Sequence, residues 1–99
     1  MGKIAELSEQ NKVVIVDFWA DWCGPCRTMN DILESLKNEF SSVVVKRVNV
    51  DEQWELAADA DVKSLPTLML LKNGEVENTI VGLMPRAKIE EIIKAITKE

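Results

Sequence analysis

Residues 13 to 26 read Val13-Val14-Ile15-Val16-Asp17-Phe18-Trp19-Ala20-Asp21-Trp22-Cys23-Gly24-Pro25-Cys26. The first seven form a near-continuous apolar, β-branched run with a single carboxylate in it, the pattern of a strand buried on both faces. From Cys26 the apolar positions fall at Met29, Ile32, Leu33, Leu36 and Phe40, spaced by three and four, so one face of a helix points at the core. Strand, turn and helix therefore follow directly, and two cysteines stand at the hand-over between them.

The rest of the chain keeps switching between the two periodicities, which points to an α/β fold. Val43 to Val50 is a second β-branched run, and residues 52 to 61 are helix-prone after Asp51, which has the chemistry of an N-cap. Strands over 67–71 and 75–81 flank Lys72-Asn73-Gly74, and Asn-Gly between apolar runs signals an antiparallel hairpin. Beyond Gly82 and Pro85, Ile89, Ile92, Ile93 and Ile96 mark a last helix, while Ile4 and Leu7 suggest a short opening one.

Ninety-nine residues suit one domain, residues 1–99, and with 46% apolar residues that domain can build a core without staples. Twelve Lys and Arg against 17 Asp and Glu leave a net charge of -5, which argues against a surface that tracks nucleic-acid phosphates. No apolar stretch is long enough to span a bilayer, and Met1 to Glu6 lacks the apolar core of an export signal, so a cytoplasmic protein away from membranes is expected. There is no histidine, and two cysteines alone cannot complete a four-ligand structural zinc site, so no metal is expected. A bridge closing so short a loop would also staple almost nothing.

The cysteines thus have a chemical use. At a helix N-terminus the free N–H groups favour an anion such as a thiolate, and Pro25 is tolerated there because its missing N–H has no helical partner to lose. Cys26 shares the inward face of Met29 and Leu33, whereas Cys23 lies at the exposed end. This asymmetry suits thiol–disulfide exchange, in which Cys23 attacks a substrate disulfide and Cys26 resolves the mixed disulfide. The plainer alternative is a pair of reduced cysteines packed as small apolar residues.

From Val16 to Cys26 the chain resembles the active-site segment of the thioredoxin family nearly residue for residue. The likeness continues through Val48-Asn49-Val50-Asp51, Leu65-Pro66-Thr67, Lys72-Asn73-Gly74-Glu75-Val76 and Val81-Gly82, over about residues 13 to 96. The resemblance implies a thioredoxin-like three-layer sandwich with a mixed four-stranded central sheet flanked by helices. The family's usual first strand is expected to be missing, because only twelve residues precede Val13. It implies reduction of protein disulfides in client proteins, re-reduction by a separate thioredoxin reductase, no bound cofactor beyond the redox-active Cys23–Cys26 disulfide, and a monomer.

The same resemblance assigns residues. Asp17, whose pKa would rise if it is buried, becomes the proton acceptor for Cys26. Arg47, where relatives often carry lysine, is either the charge partner of Asp17 or a plain surface charge. Pro66 is expected in the cis form, and Trp22, Leu65, Pro66, Thr67, Val81, Gly82 and Leu83 would form a rim that holds an extended client chain, with Gly24 and Pro25 completing the motif. For Trp22 and Leu83 a packing role is the alternative. The chain departs from the family where Asp31 replaces a helix-bending proline, where Ala60 replaces a frequent aromatic residue, and where Trp54 is added. Two rival functions share the fold: an oxidase or isomerase, and a binding module that acts through the apolar rim.

Overall fold

A strand that is apolar on both faces must be covered on both, and the sheet is built around it. In the computed structural model, which describes residues 2–97, β1 (Val13–Trp19) lies between β2 (Val43–Asn49) and β3 (Thr67–Lys72). With β4 (Glu75–Val81) the order is β2-β1-β3-β4. β1 runs parallel to β2, from Val13 opposite Val43 to Trp19 opposite Asn49, and antiparallel to β3. Parallel neighbours need a crossover, supplied here by α2 (Gly24–Glu39). The sheet is thus mixed and four-stranded among the described residues, in agreement with the expectation from the sequence.

Alternation along β1 divides the core in two. Val13 and Ile15 pack with Met29, Leu33 and Leu36 of α2 and with Ile89 and Ile93 of α4 (Arg86–Thr97). Val14, Val16 and Phe18 pack with Ile4 of α1 (Gly2–Ala5) and Ala57 of α3 (Trp54–Asp59). Two helices therefore cover each face, giving the three layers. The same alternation places Asp17 on the α2 face of β1. Leu36 is fully buried in the first cluster, so Leu36→Ala is expected to lower stability by about 2–5 kcal/mol. A lower urea midpoint at unchanged m would show it.

The hairpin forms at the expected place, with Asn73 at φ 49° and Gly74 at φ 86°, the left-handed pair that a type I′ turn requires. α2 runs unbroken through Asp31, and α4 begins at Arg86, directly after Pro85. One local expectation fails. α3 starts at Trp54, and its N-cap is Gln53, which makes no side-chain capping bond. Asp51 does not cap the helix, because its carboxylate is engaged by Trp22.

Candidate active site

β1 ends at Trp19, and a turn closed by the Cys23 N–H donating to the Ala20 carbonyl (3.1 Å) delivers the chain to α2. Cys23 is the N-cap: its extended backbone turns the helix start toward its own Sγ, which accepts a hydrogen bond from the Cys26 N–H at 3.2 Å. An N–H that no helical carbonyl can reach thus points at the first sulfur. Pro25 sits in the first turn without cost. The two cysteines are joined as a disulfide, and Cys26 continues into the buried stripe of Met29, Leu33 and Leu36.

In this oxidised form the sulfurs differ less in exposure than the sequence suggests. Cys23 is 5% exposed and Cys26 2%, both packed with Ala20 against Trp19, Val50 and Leu65. The expected exposed position of Cys23 is therefore corrected. What separates the two is polarity at the helix end, where one sulfur receives the helix N–H and the other lies at the start of the core face.

Asp17 is fully buried. One carboxylate oxygen, Oδ2, faces Arg47 Nε at 3.4 Å, and the other, Oδ1, has no hydrogen-bond partner. Burial raises its pKa above the ordinary value of 3.8, and the attraction and hydrogen bond of Arg47 only partly offset this. The pairing follows from register, since Asp17 and Arg47 are direct partners across parallel β1 and β2. The Arg47 guanidinium also lies over the Trp19 ring, 4.5 Å from its centroid. It borders a cleft of about 340 Å³ with Trp19, Ala20, Asp21, Cys26 and Arg27. Arg47 is thus more than a loose surface charge, and one side chain spans the buried acid and the cleft that borders Cys26.

The proline loop meets the cysteines through Leu65. The Leu65–Pro66 bond is cis, the Gly82 N–H donates to the Pro66 carbonyl at 2.8 Å, and the Thr67 hydroxyl donates to the Ser64 carbonyl at 2.6 Å. Gly82 adopts φ 85°, the left-handed region that suits glycine as the chain leaves β4. Trp22, next to Cys23 in the chain, and Val81 and Leu83, on either side of Gly82, are 70%, 64% and 52% exposed. Leu65 is half-buried and packs against the cysteines. Leu65 packs on the cysteine cluster, Gly82 is hydrogen-bonded to Pro66, and Thr67 pairs with Val81, with Leu83 next along the chain after Gly82.

One contributor went unseen in the sequence. The Trp22 indole N–H donates to Asp51 Oδ2 at 2.9 Å, while the Asp51 N–H is held by Asn49 Oδ1 at the same distance. Local sequence carries no signal for this pair; the register of the parallel strands, with Trp19 opposite Asn49, sets the residues just beyond each at one sheet end. Trp54, also exposed, sits on α3. Among the described residues, no group of three or more His, Cys, Asp or Glu side chains is placed to hold a metal ion.

A family profile described as thioredoxin matches residues 4–95. The chain is 43% identical over 90 residues to a thioredoxin of Bacillus subtilis, covering 90% of this chain and 85% of that one. It is 41% identical over 93 residues to a thioredoxin of Mycoplasma pneumoniae, covering 94% and 91%. Thioredoxin-1 of Schizosaccharomyces pombe is 45% identical over 86 residues, covering 87% and 82%. Among solved structures, a mutant thioredoxin from Halobacterium salinarum superposes with a TM-score of 0.83 at 37% identity, over 88% of this chain and 76% of that one.

Proposed function

The chain belongs to the thioredoxin family, and from that premise we propose an ordered exchange in which Cys23 attacks and Cys26 resolves. The family acts on disulfide substrates by thiol–disulfide exchange, and the redox group here is the Cys23–Cys26 pair. The observation that carries the order is the Cys26 N–H directed at Cys23 Sγ. The same donor, with the helix end behind it, would favour a thiolate on Cys23.

In the reduced protein the Cys23 thiolate displaces one sulfur of a client disulfide, which leaves as a thiolate while the other becomes bonded to Cys23. The Cys26 thiol then gives up its proton, and its sulfur attacks Cys23, closing the intramolecular disulfide and releasing the second client thiolate. The client gains two electrons and the pair loses two. Asp17 is the acceptor we propose for the Cys26 proton. Its burial, its raised pKa and its place on the sheet face beneath α2 support that role, while Arg47 keeps its charge throughout and steadies the acid.

The rim of Trp22, Leu65, Pro66, Thr67, Val81, Gly82 and Leu83 serves in this scheme as the client-binding surface. The exposure of the apolar side chains of Trp22, Val81 and Leu83 supports contact with an extended partner chain. A separate reductase returns the pair to the dithiol. Residues 1–99 act as a single monomeric domain, a reading supported by a sheet whose two faces are each covered by the chain's own helices. Only two cysteines, both in the redox pair, suit a reducing cytoplasmic setting.

Reduction of insulin in the presence of a chemical dithiol tests the activity; a chain that does not accelerate it over the dithiol alone does not act as proposed. The order is tested by brief alkylation of the reduced protein near neutral pH followed by peptide mapping. Label is expected on Cys23 well before Cys26, and the reverse pattern would overturn the assignment.

A further inference from the structure

Beyond the rim, a second apolar recess opens on the α3 face of the hairpin. Its floor is built by cross-strand partners, Thr67 opposite Val81 and Met69 opposite Thr79, and its wall by Ala60 and Val62 just past α3. The space is about 380 Å³, within the range of about 300–1,000 Å³ typical of ligand pockets. Ala60 lines it with a methyl group only. At its lip Asp61 and Lys63 pair with each other at 3.7 Å, so the recess carries little net charge.

Two features connect this recess to the redox end. Thr67 follows Pro66 directly and Val81 precedes Gly82, whose N–H holds the Pro66 carbonyl, so the recess continues the proline loop without a break. β4 is also an edge strand. Glu75 and Glu77 guard its first half with charge, whereas no charged residue occurs from Asn78 through Pro85. An edge that is charged at the far end and bare near the disulfide leaves room for an added strand only beside the recess.

We propose that this recess is a specificity subsite, which takes one bulky apolar side chain, of the Phe, Leu or Met class, from an extended segment of a client chain lying along the uncharged part of β4. The proposal rests on the exchange reaction above and adds a preference among its substrates. Side chains alternate along an added strand, so one residue in two would face Thr79 and Val81 and could drop into the space that Ala60 leaves.

The test uses single-turnover reaction of the fully reduced protein with a series of disulfide-linked peptides of serine and glycine. A single Phe is moved through the four positions on either side of one cysteine, and a Phe-free peptide is the reference. At one position the second-order rate constant is expected to rise by about tenfold, the order expected when a large apolar side chain is buried. Ala60→Phe, which fills the recess, and Thr79→Glu, which places a charge on its exposed floor, are each expected to bring that preference to within about twofold of the reference. Thr79 is exposed on its strand, so Thr79→Glu decides the matter by itself if Ala60→Phe does not fold. A preference absent at every position, or one that survives Thr79→Glu, overturns the subsite. Reaction with hydroxyethyl disulfide, too small to reach the recess, reports the exchange itself. A wild-type protein inert toward it overturns the exchange reading and this proposal together, whereas normal reaction with it and no Phe preference overturns the subsite alone.

Discussion

Cys26→Ser is expected to turn the protein from a catalyst into a trap, accumulating mixed disulfides with client proteins while multiple turnover falls by at least about 10³-fold. The size follows from what Cys26 supplies: a thiol held next to the sulfur it must attack. Well-oriented intramolecular groups act at effective concentrations of about 10⁵–10⁸ M, and millimolar external thiol cannot replace them. Cys23 keeps its helix-end environment in the variant, because its hydrogen bond comes from the backbone N–H of residue 26 and not from the lost sulfur. Attack should therefore proceed and resolution stop. Non-reducing electrophoresis with mass spectrometry of the adducts measures both steps. Cys23→Ser is expected to trap almost nothing, and equal trapping by the two variants would refute the ordered exchange.

Asp17→Asn is expected to stabilise the oxidised protein near neutral pH, by on the order of 1–3 kcal/mol, and to slow release of the mixed disulfide. The carboxylate is fully buried, has one oxygen without a partner, and is matched by a single arginine at 3.4 Å. Desolvation dominates, so its pKa in the folded chain lies above the 3.8 it has when exposed. For an acid this sign means that the native state binds the proton more tightly than the unfolded state does. The penalty is absent at pH below the unfolded value, grows as pH rises from there toward the raised native value, and is constant above it. The advantage of the amide should grow over the same window. Urea unfolding of both proteins at acid and neutral pH would show curves that separate as pH rises. Catalysis moves the other way, because an amide cannot accept the Cys26 proton. A variant no more stable at neutral pH and fully active would place Asp17 outside the reaction.

Part of this site was legible because its signals are local. Cys23, Pro25 and Cys26 declare a helix start by their own backbone chemistry, and Asp17 declares burial by the apolar residues on either side of it. The hairpin at Asn73-Gly74 was equally plain, since only residues that tolerate left-handed backbone angles fit that turn. Asp51 shows where local reading fails. An aspartate ahead of a helix-prone segment reads as a cap, yet its carboxylate is spent on the Trp22 indole, 29 residues away in sequence. Arg47 is a second case. Its sequence neighbours say only that it is a charge on a strand, and the parallel register then sets it beside Asp17 and over Trp19. The exposure of Cys23 is a third, because periodicity told which cysteine faces the core but not that Ala20, Val50 and Leu65 close over both once they are bridged.

The order of strands and helices, the position of the cysteine pair at a strand-to-helix junction and the inequivalence of its two members are all readable from local residue patterns. Those depend on φ/ψ preference, on periodicity and on unsatisfied N–H groups at a helix end, all set by residues within a few positions of one another. Which oxygen of Asp17 is left unpaired, the reach of Arg47 from that acid to the cleft beside Cys26, the hold of Asp51 on Trp22 and the recess beside β4 emerge from the folded chain. Each of these is a meeting of side chains from distant parts of the chain. Strand register and helix packing place them, and desolvation at those meeting points sets their charge and reactivity.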